Sequence, residues 1–177
     1  MKLIKLITRL LSFLLILNST VTLSQTQNKP PDRMKMLAAF NGEWKGEMVK
    51  VVDSKTLKYK LAHTSEKIAG GWGIQLNEKA NIPEKGNYLA TRIFSYSSAS
   101  DSTFMYTIDN FGETWFFTGT WESSKKLVLK SQMELNGKII EKLIIYQFLN
   151  TREYNFKSIT RIAGSPDEFV EMIMKRE

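Results

Sequence analysis

The 177-residue chain has no cysteine, and its only histidine is His63. The missing cysteine excludes disulfides, thiolate metal sites and cysteine nucleophiles. A single histidine excludes a multi-histidine metal site and leaves most nucleophilic catalytic arrangements without a base. The chain is 42% hydrophobic and 24% charged, which is typical of a globular protein and not of a disordered or multi-span membrane protein. We therefore expect one globular domain, not an enzyme, with no metal ion and no cofactor.

The N-terminal segment has the pattern of a targeting sequence. Three basic residues precede an apolar run from Leu10 to Leu17, and small or polar residues follow through Ser24. This order predicts a secretory signal peptide over residues 1–24. A membrane anchor is the alternative, but the run is shorter than the roughly 20 residues that span a bilayer. Residues 25–31 then form a flexible tether, and the mature protein is secreted or periplasmic without a stable membrane span.

The net charge of the mature chain gives little support to nucleic-acid binding. The whole chain carries +7, but removal of the three basic residues of the signal peptide leaves 22 Lys and Arg against 18 Asp and Glu, a net charge of +4. The remaining lysines are dispersed and form no basic stripe. We therefore predict no nucleic-acid partner.

The mature chain, residues 32–177, has the periodicity of a β-domain that begins with a short helix. Apolar residues fall at helical spacing from Asp32 to Phe40, and Asn41-Gly42 end the helix. Apolar and polar residues then alternate between short turns, of which Asn136-Gly137 is the strongest hairpin signal. The predicted strands cover residues 44–52, 57–64, 72–77, 87–96, 103–109, 113–121, 126–134, 138–149, 153–162 and 168–175.

Successive hairpins of this kind predict an all-β fold with up-and-down connections. A sheet of nine or ten strands twists, and closure into a barrel removes its exposed edges. The expected fold is therefore a single closed antiparallel up-and-down β-barrel of about nine or ten strands with a short N-terminal helix.

Aromatic residues are concentrated in the middle of the chain. Nine of the 20 aromatic residues lie between residues 94 and 121. Alternation places Trp115, Phe117 and Trp121 on one face of a single strand. Such a face is either ordinary core packing or the wall of a cavity, because the interior side chains of a barrel larger than about eight strands do not meet at its axis.

Four short segments carry a resemblance to a known family. They are FNGEWKGE at residues 40–47, GGW at 70–72, YTIDNFG at 106–112 and TGTW at 118–121. In this order and spacing they resemble a bacterial lipocalin-like family of unknown function, domain of unknown function family 1579, over about residues 34–176. The resemblance implies a closed barrel of the calycin kind, related in architecture to lipocalins, fatty-acid-binding proteins and nitrobindin-like haem proteins. It implies no established activity.

Several polar residues alternate with apolar ones and are expected to point inward. His63 is either a haem ligand or a hydrogen-bonded core residue. Nitrobindin-like barrels resemble one another in having the haem-binding histidine near the C-terminal end, where this chain has none. We therefore favour the core role. Arg152 and Tyr154 share a face and could hold a ligand carboxylate. Glu141 and Glu171 could act as acid and base, but pairing with arginines, for which Arg92 and Arg161 are available, is the commoner arrangement.

The sequence thus favours an exported, non-enzymatic barrel that binds a small hydrophobic or amphipathic molecule in its interior. The alternative is an interaction or structural module of the cell envelope whose barrel is filled by its own side chains. A third hypothesis, an isomerase or hydrolase driven by carboxylates, requires Glu141 and Glu171 to approach each other. The candidate ligand-binding residues are Trp72, Tyr106, Trp115, Phe117, Trp121, Arg92, Arg152, Tyr154 and His63.

Overall fold

The computed structural model describes residues 32–177, which begin with one short helix. Helix α1 spans Asp32–Leu37, and a 3-10 turn, Ala38–Phe40, continues it. Asn41 caps the end of this helical segment, and Gly42 follows with a φ of 107°, a value that side-chain-bearing residues rarely adopt. The short helix predicted over residues 32–40 is therefore confirmed. The predicted signal peptide and tether lie outside the described residues.

Residues 42–176 form ten antiparallel strands that close into a barrel. Each strand pairs with the next along the chain, and β1 pairs with β10 to complete the ring. The predicted closed up-and-down barrel is confirmed. The strands are β1 Gly42–Val52, β2 Lys55–Ile68, β3 Gly73–Ile82, β4 Gly86–Ser97, β5 Ser102–Asp109, β6 Thr114–Ser123, β7 Lys126–Leu135, β8 Lys138–Asn150, β9 Glu153–Ile162 and β10 Glu168–Arg176.

Tight turns join the strands. The predicted hairpin turn lies between β7 and β8, where Asn136 and Gly137 have φ angles of 53° and 73°. Two successive residues with positive φ are what a type I′ turn requires, and asparagine and glycine adopt these angles most easily. Among the described residues, no helix has the length and apolarity that crossing a membrane would need.

The two ends of the barrel differ in how their interior is filled. In an up-and-down barrel, the turns after β1, β3, β5, β7 and β9 share one end, which we call the open end. Helix α1 lies at the other, plugged end, where the side chain of Phe40 enters the barrel. The Phe40 ring stacks on Phe94 with 5.1 Å between ring centroids and meets Tyr146 and Phe148 at 4.9 Å each. Phe40 is fully buried, so it closes this end of the barrel.

Candidate functional site

A cavity of about 590 Å³ occupies the open half of the barrel, and residues from all ten strands line it. Its volume falls within the range of roughly 300–1,000 Å³ that is typical of small-molecule sites. Its lining includes the apolar side chains of Met48, Trp115, Phe117, Ile144 and Phe156. The interior side chains of a ten-stranded barrel do not reach far enough to fill its centre. At the plugged end Phe40 fills this space, and at the open end the space remains as the cavity.

The cavity ends on a buried polar cluster formed by Arg92, Glu78 and Tyr146. Arg92 Nη2 donates to Glu78 Oε2 at 2.8 Å, and Arg92 Nη1 donates to the Tyr146 hydroxyl at 3.0 Å. Arg92 is 8% exposed and Glu78 is 5% exposed. Arg92 and Glu78 also line the cavity, whereas Tyr146 contacts Phe40 of the plugged end. The cluster therefore forms the boundary between the plugged end and the cavity.

The neighbours of Arg92 keep its guanidinium charged. Burial by itself would lower the pKa of Arg92, but the Glu78 carboxylate and the Tyr146 hydroxyl raise that pKa well above its ordinary value. Burial raises the pKa of Tyr146 to about 12, against the opposing effect of Arg92. At neutral pH, Arg92 is therefore a buried cation and Tyr146 a neutral phenol that accepts its hydrogen bond.

Three buried polar atoms that belong to cavity-lining residues have no hydrogen-bond partner among the described residues. They are Arg92 Nε, Thr107 Oγ1 and Ser158 Oγ. Each of the three residues is at most 8% exposed. A buried polar group without a partner is costly, so these three atoms destabilise the wall of the cavity.

Lys142 brings a second cation to the cavity, from β8. Its Nζ lies 4.7 Å from the centroid of the Trp115 ring, within the range of a cation–π contact. No ion pair of the described residues includes Lys142, whereas nearby Lys50 Nζ pairs with Glu168 Oε2 at 2.7 Å. Burial lowers the pKa of Lys142, partly offset by the Glu113 carboxylate and reinforced by Arg92. Lys142 is thus a partly desolvated cation that forms no ion pair with a described residue, although the Glu113 carboxylate acts on it from a greater distance.

The structure places three of the predicted site residues in the cavity. Arg92, Trp115 and Phe117 line it. Three others, Trp121, His63 and Tyr154, are buried in the plugged end and line no part of the cavity. There Trp121 stacks on Phe148 with 6.2 Å between ring centroids. For these six residues, strand alternation predicted burial correctly but did not distinguish the two ends of the barrel.

The other three predicted residues are exposed, which corrects their assignment to the cavity. Trp72 follows the 3-10 turn Ala69–Gly71, so it lies outside the strand alternation and is 38% exposed. Tyr106 is 41% exposed because its neighbours Met105 and Thr107 take the inward positions of β5. Arg152 lies exposed in the turn after β8, whereas Tyr154 is buried. Arg152 and Tyr154 therefore do not form an interior carboxylate site.

The two carboxylates of the catalytic hypothesis also point outward. Glu141 and Glu171 are both exposed, and Glu171 pairs with Lys157 on the outer face at 2.5 Å. Arg161 pairs with Asp167 at 3.3 Å, not with either of them. The prediction that these glutamates face the interior is wrong, because β8 and β10 carry apolar residues on both faces.

Sequence reasoning missed most residues of the site, among them Glu78, Lys142 and Tyr146. Glu78 follows Ile74 and Leu76 at a spacing of two on the buried face of β3, so alternation was a usable signal for its inward position. Lys142 and Tyr146 lie on β8, whose apolar outer face hides the alternation. The partners Glu78 and Arg92 come from β3 and β4, which pair with each other.

His63 has the environment of a core residue. A hydrogen bond of 2.7 Å joins its Nε2 to the Tyr154 hydroxyl, and its ring stacks on Trp44 with 6.0 Å between centroids. Burial lowers the pKa of His63 from 6.5 to about 3, and the charge of Arg92 adds to this effect. The neutral imidazole is therefore the form that the fold stabilises.

This low pKa predicts a loss of stability in mild acid. The unfolded chain takes up a proton at His63 below pH 6.5, whereas the folded protein does not until about pH 3, so stability falls as the pH falls through this range. Between pH 7 and pH 5, His63 should account for a loss of about 2 kcal/mol in the free energy of unfolding. Urea denaturation at both pH values, compared with His63→Gln, measures it. An equal loss in the variant would contradict the prediction.

A closed antiparallel barrel with an interior cavity that opens at one end defines a lipocalin-like class of protein. The chain belongs to the family DUF1579, described as a protein of unknown function, whose family model matches residues 29–176. No curated protein matches the chain.

Solved structures of other proteins share the fold. The protein Rv2717c from M. tuberculosis is 12% identical, with a TM-score of 0.62 over 84% of this chain and 99% of that chain. The S-type phycobiliprotein lyase CPES from Guillardia theta is 9% identical, with a TM-score of 0.57 over 81% of this chain and 91% of that chain. At these identities the likeness extends to the fold alone.

Proposed function

We propose that this protein is an exported, non-enzymatic barrel of the calycin kind that binds a small hydrophobic or amphipathic molecule in its interior. The observation that carries this proposal is the cavity of about 590 Å³ at the open end. Its walls combine aromatic and aliphatic side chains with a few buried polar atoms, the composition that small-molecule sites share. Export rests on the signal-peptide pattern of residues 1–24.

The residues of the cavity support binding and offer no catalytic pair. Arg92 and Glu78 hold each other in an ion pair, and the only histidine lies in the plugged end. The remaining lining carboxylates are Glu168, which pairs with Lys50, and Asp109 and Glu113 at the mouth. Asp109 Oδ1 accepts hydrogen bonds from the backbone N–H groups of Phe111 and Glu113 at 2.9 Å each, which ties it to the turn.

An interaction module remains the second candidate, because the outer face of β5 and β6 exposes apolar rings. Phe104 and Phe116 stack there with 5.7 Å between centroids, and Phe116 is 59% exposed. Exposed apolar patches mark interaction surfaces when they are contiguous. This candidate predicts an interior that stays empty of ligand.

Native mass spectrometry of the protein purified without detergent from a bacterial periplasm separates the two candidates. We expect a stoichiometric extra mass that solvent extraction removes. Thr107→Trp, which adds a large side chain inside the cavity, should lose this mass, whereas Tyr106→Trp on the outer face of the same strand should keep it. A wild-type protein that stays bare after incubation with lipids, or equal occupancy in the two variants, would refute the proposal.

A further inference from the structure

The charges of the cavity are paired except at one interior position. Its lining has four cationic side chains and four carboxylates. Arg92 pairs with Glu78, and Lys50 pairs with Glu168. The remaining carboxylates belong to the mouth, where Glu113 Oε2 accepts a hydrogen bond of 3.3 Å from the Trp115 indole. The remaining lining cations are Lys85, exposed in the turn after β3, and Lys142.

Lys142 lies where a bound anion would gain most. It is half-buried above the Trp115 ring, so its ammonium has lost part of its hydration and gains only a cation–π contact in return. A partly desolvated cation without a partner destabilises the empty site, and an anion beside it removes that cost. The same loss of hydration lowers the pKa of Lys142.

Further donors lie on the adjoining wall. Thr107 is the register partner of Arg92 on β4 and of Trp115 on β6. Arg92, Thr107 and Trp115 therefore form a row of inward residues across three neighbouring strands. The Thr107 hydroxyl has no partner among the described residues, and Lys142 lies over the Trp115 ring. Arg92 and Thr107 thus make the wall next to Trp115 polar.

The same lining limits the charge of a ligand. Glu78, Glu113 and Glu168 line this cavity along with Lys142, and a ligand with several negative charges would be repelled by them. The aliphatic side chains of Met133, Ile140 and Val170 offer a surface for an apolar body. A ligand with one negative charge and an apolar body satisfies both parts of the lining.

We propose that the cavity selects amphipathic monoanions such as carboxylates, and that Lys142 pairs with the anionic group beside the polar wall formed by Thr107 and Arg92. This inference rests on the proposed ligand-binding function and names the chemical class of the ligand. Lys142 is the residue that gives the site its selectivity for a negative charge.

Three probes with the same alkyl chain test the selectivity: dodecanoate, dodecanol and dodecyltrimethylammonium, titrated into the ligand-free protein by isothermal calorimetry below their micellar concentrations. We expect dodecanoate to bind at least tenfold more tightly than dodecanol, and dodecyltrimethylammonium to bind most weakly. Lys142→Met should weaken dodecanoate binding by roughly tenfold to a hundredfold, the effect of losing a charge-assisted hydrogen bond. Dodecanol binding should be unchanged in this variant, which also shows that the fold is intact.

Lys130→Met is the matched control, because Lys130 is exposed on the outer face of the adjoining strand β7. It should leave the binding of all three probes unchanged. Equal affinities for dodecanoate and dodecanol in the wild type, or an equal loss for both in Lys142→Met, would overturn the charge selectivity and leave the binding function standing. A wild-type protein that binds none of the probes would overturn both proposals.

Discussion

Replacing Arg92 with leucine is expected to destabilise the folded protein by about 3–5 kcal/mol. The change leaves the Glu78 carboxylate buried at 5% exposure without the guanidinium that lies 2.8 Å away. It also removes the donor that reaches the Tyr146 hydroxyl at 3.0 Å. Urea denaturation at pH 7 measures the effect as a lower midpoint with an unchanged slope.

The double variant Arg92→Leu with Glu78→Leu separates the worth of the ion pair from the cost of an isolated charge. Because it leaves no buried charge at this position, it should be more stable than Arg92→Leu alone. Lys157→Leu provides an exposed comparison, since its pair with Glu171 lies on the outer surface with both side chains more than half exposed. That change should cost less than about 1 kcal/mol. An Arg92→Leu protein within about 1 kcal/mol of the wild type would contradict the prediction.

The barrel could be predicted because most of its strands alternate clearly. On β6, the predicted inward residues Trp115, Phe117 and Trp121 are all buried, while Phe116 is exposed. Gly119 shares the inward face of β6, and a Cβ at this position would lie 1.9 Å from the backbone oxygen of Val128. The glycine therefore lets β6 and β7 approach closely.

The outward placement of Tyr106 and Glu141 could not be predicted by the same argument. On strand β5, two polar residues, Thr103 and Thr107, lie inside the barrel, whereas the large aromatic residue Tyr106 lies outside. Strand β8 has apolar residues on both faces, so the sequence pattern allows either face to point into the barrel. The orientation that exposes Glu141 is the one that turns Lys142 into the cavity.

The contacts of Phe40 decide which end of the barrel holds the cavity, and strand alternation does not describe them. His63 and Tyr154 are inward residues like Arg92, but they lie at the end that Phe40 fills. Phe40 comes from the 3-10 turn before β1, so its insertion into the barrel depends on the path of the chain after α1. The sequence predicts the helix but not the direction in which its last ring points.

Replacing Phe40 with alanine is expected to destabilise the fold by about 3–5 kcal/mol, the range for deleting a buried phenylalanine ring. The ring is fully buried and lies within 5.6 Å, centroid to centroid, of Phe94, Tyr146, Phe148 and Tyr154. These partners belong to three different strands, so they cannot all close around the vacated space without moving the backbone. Urea denaturation measures the loss.

Phe116→Ala is the matched control because it deletes the same ring from the outer face, where Phe116 is 59% exposed and stacks on Phe104. It should cost less than about 1 kcal/mol. Similar losses in the two variants would show that Phe40 does not fill the plugged end. A large loss confined to Phe40→Ala would show that this one ring stabilises the closed end.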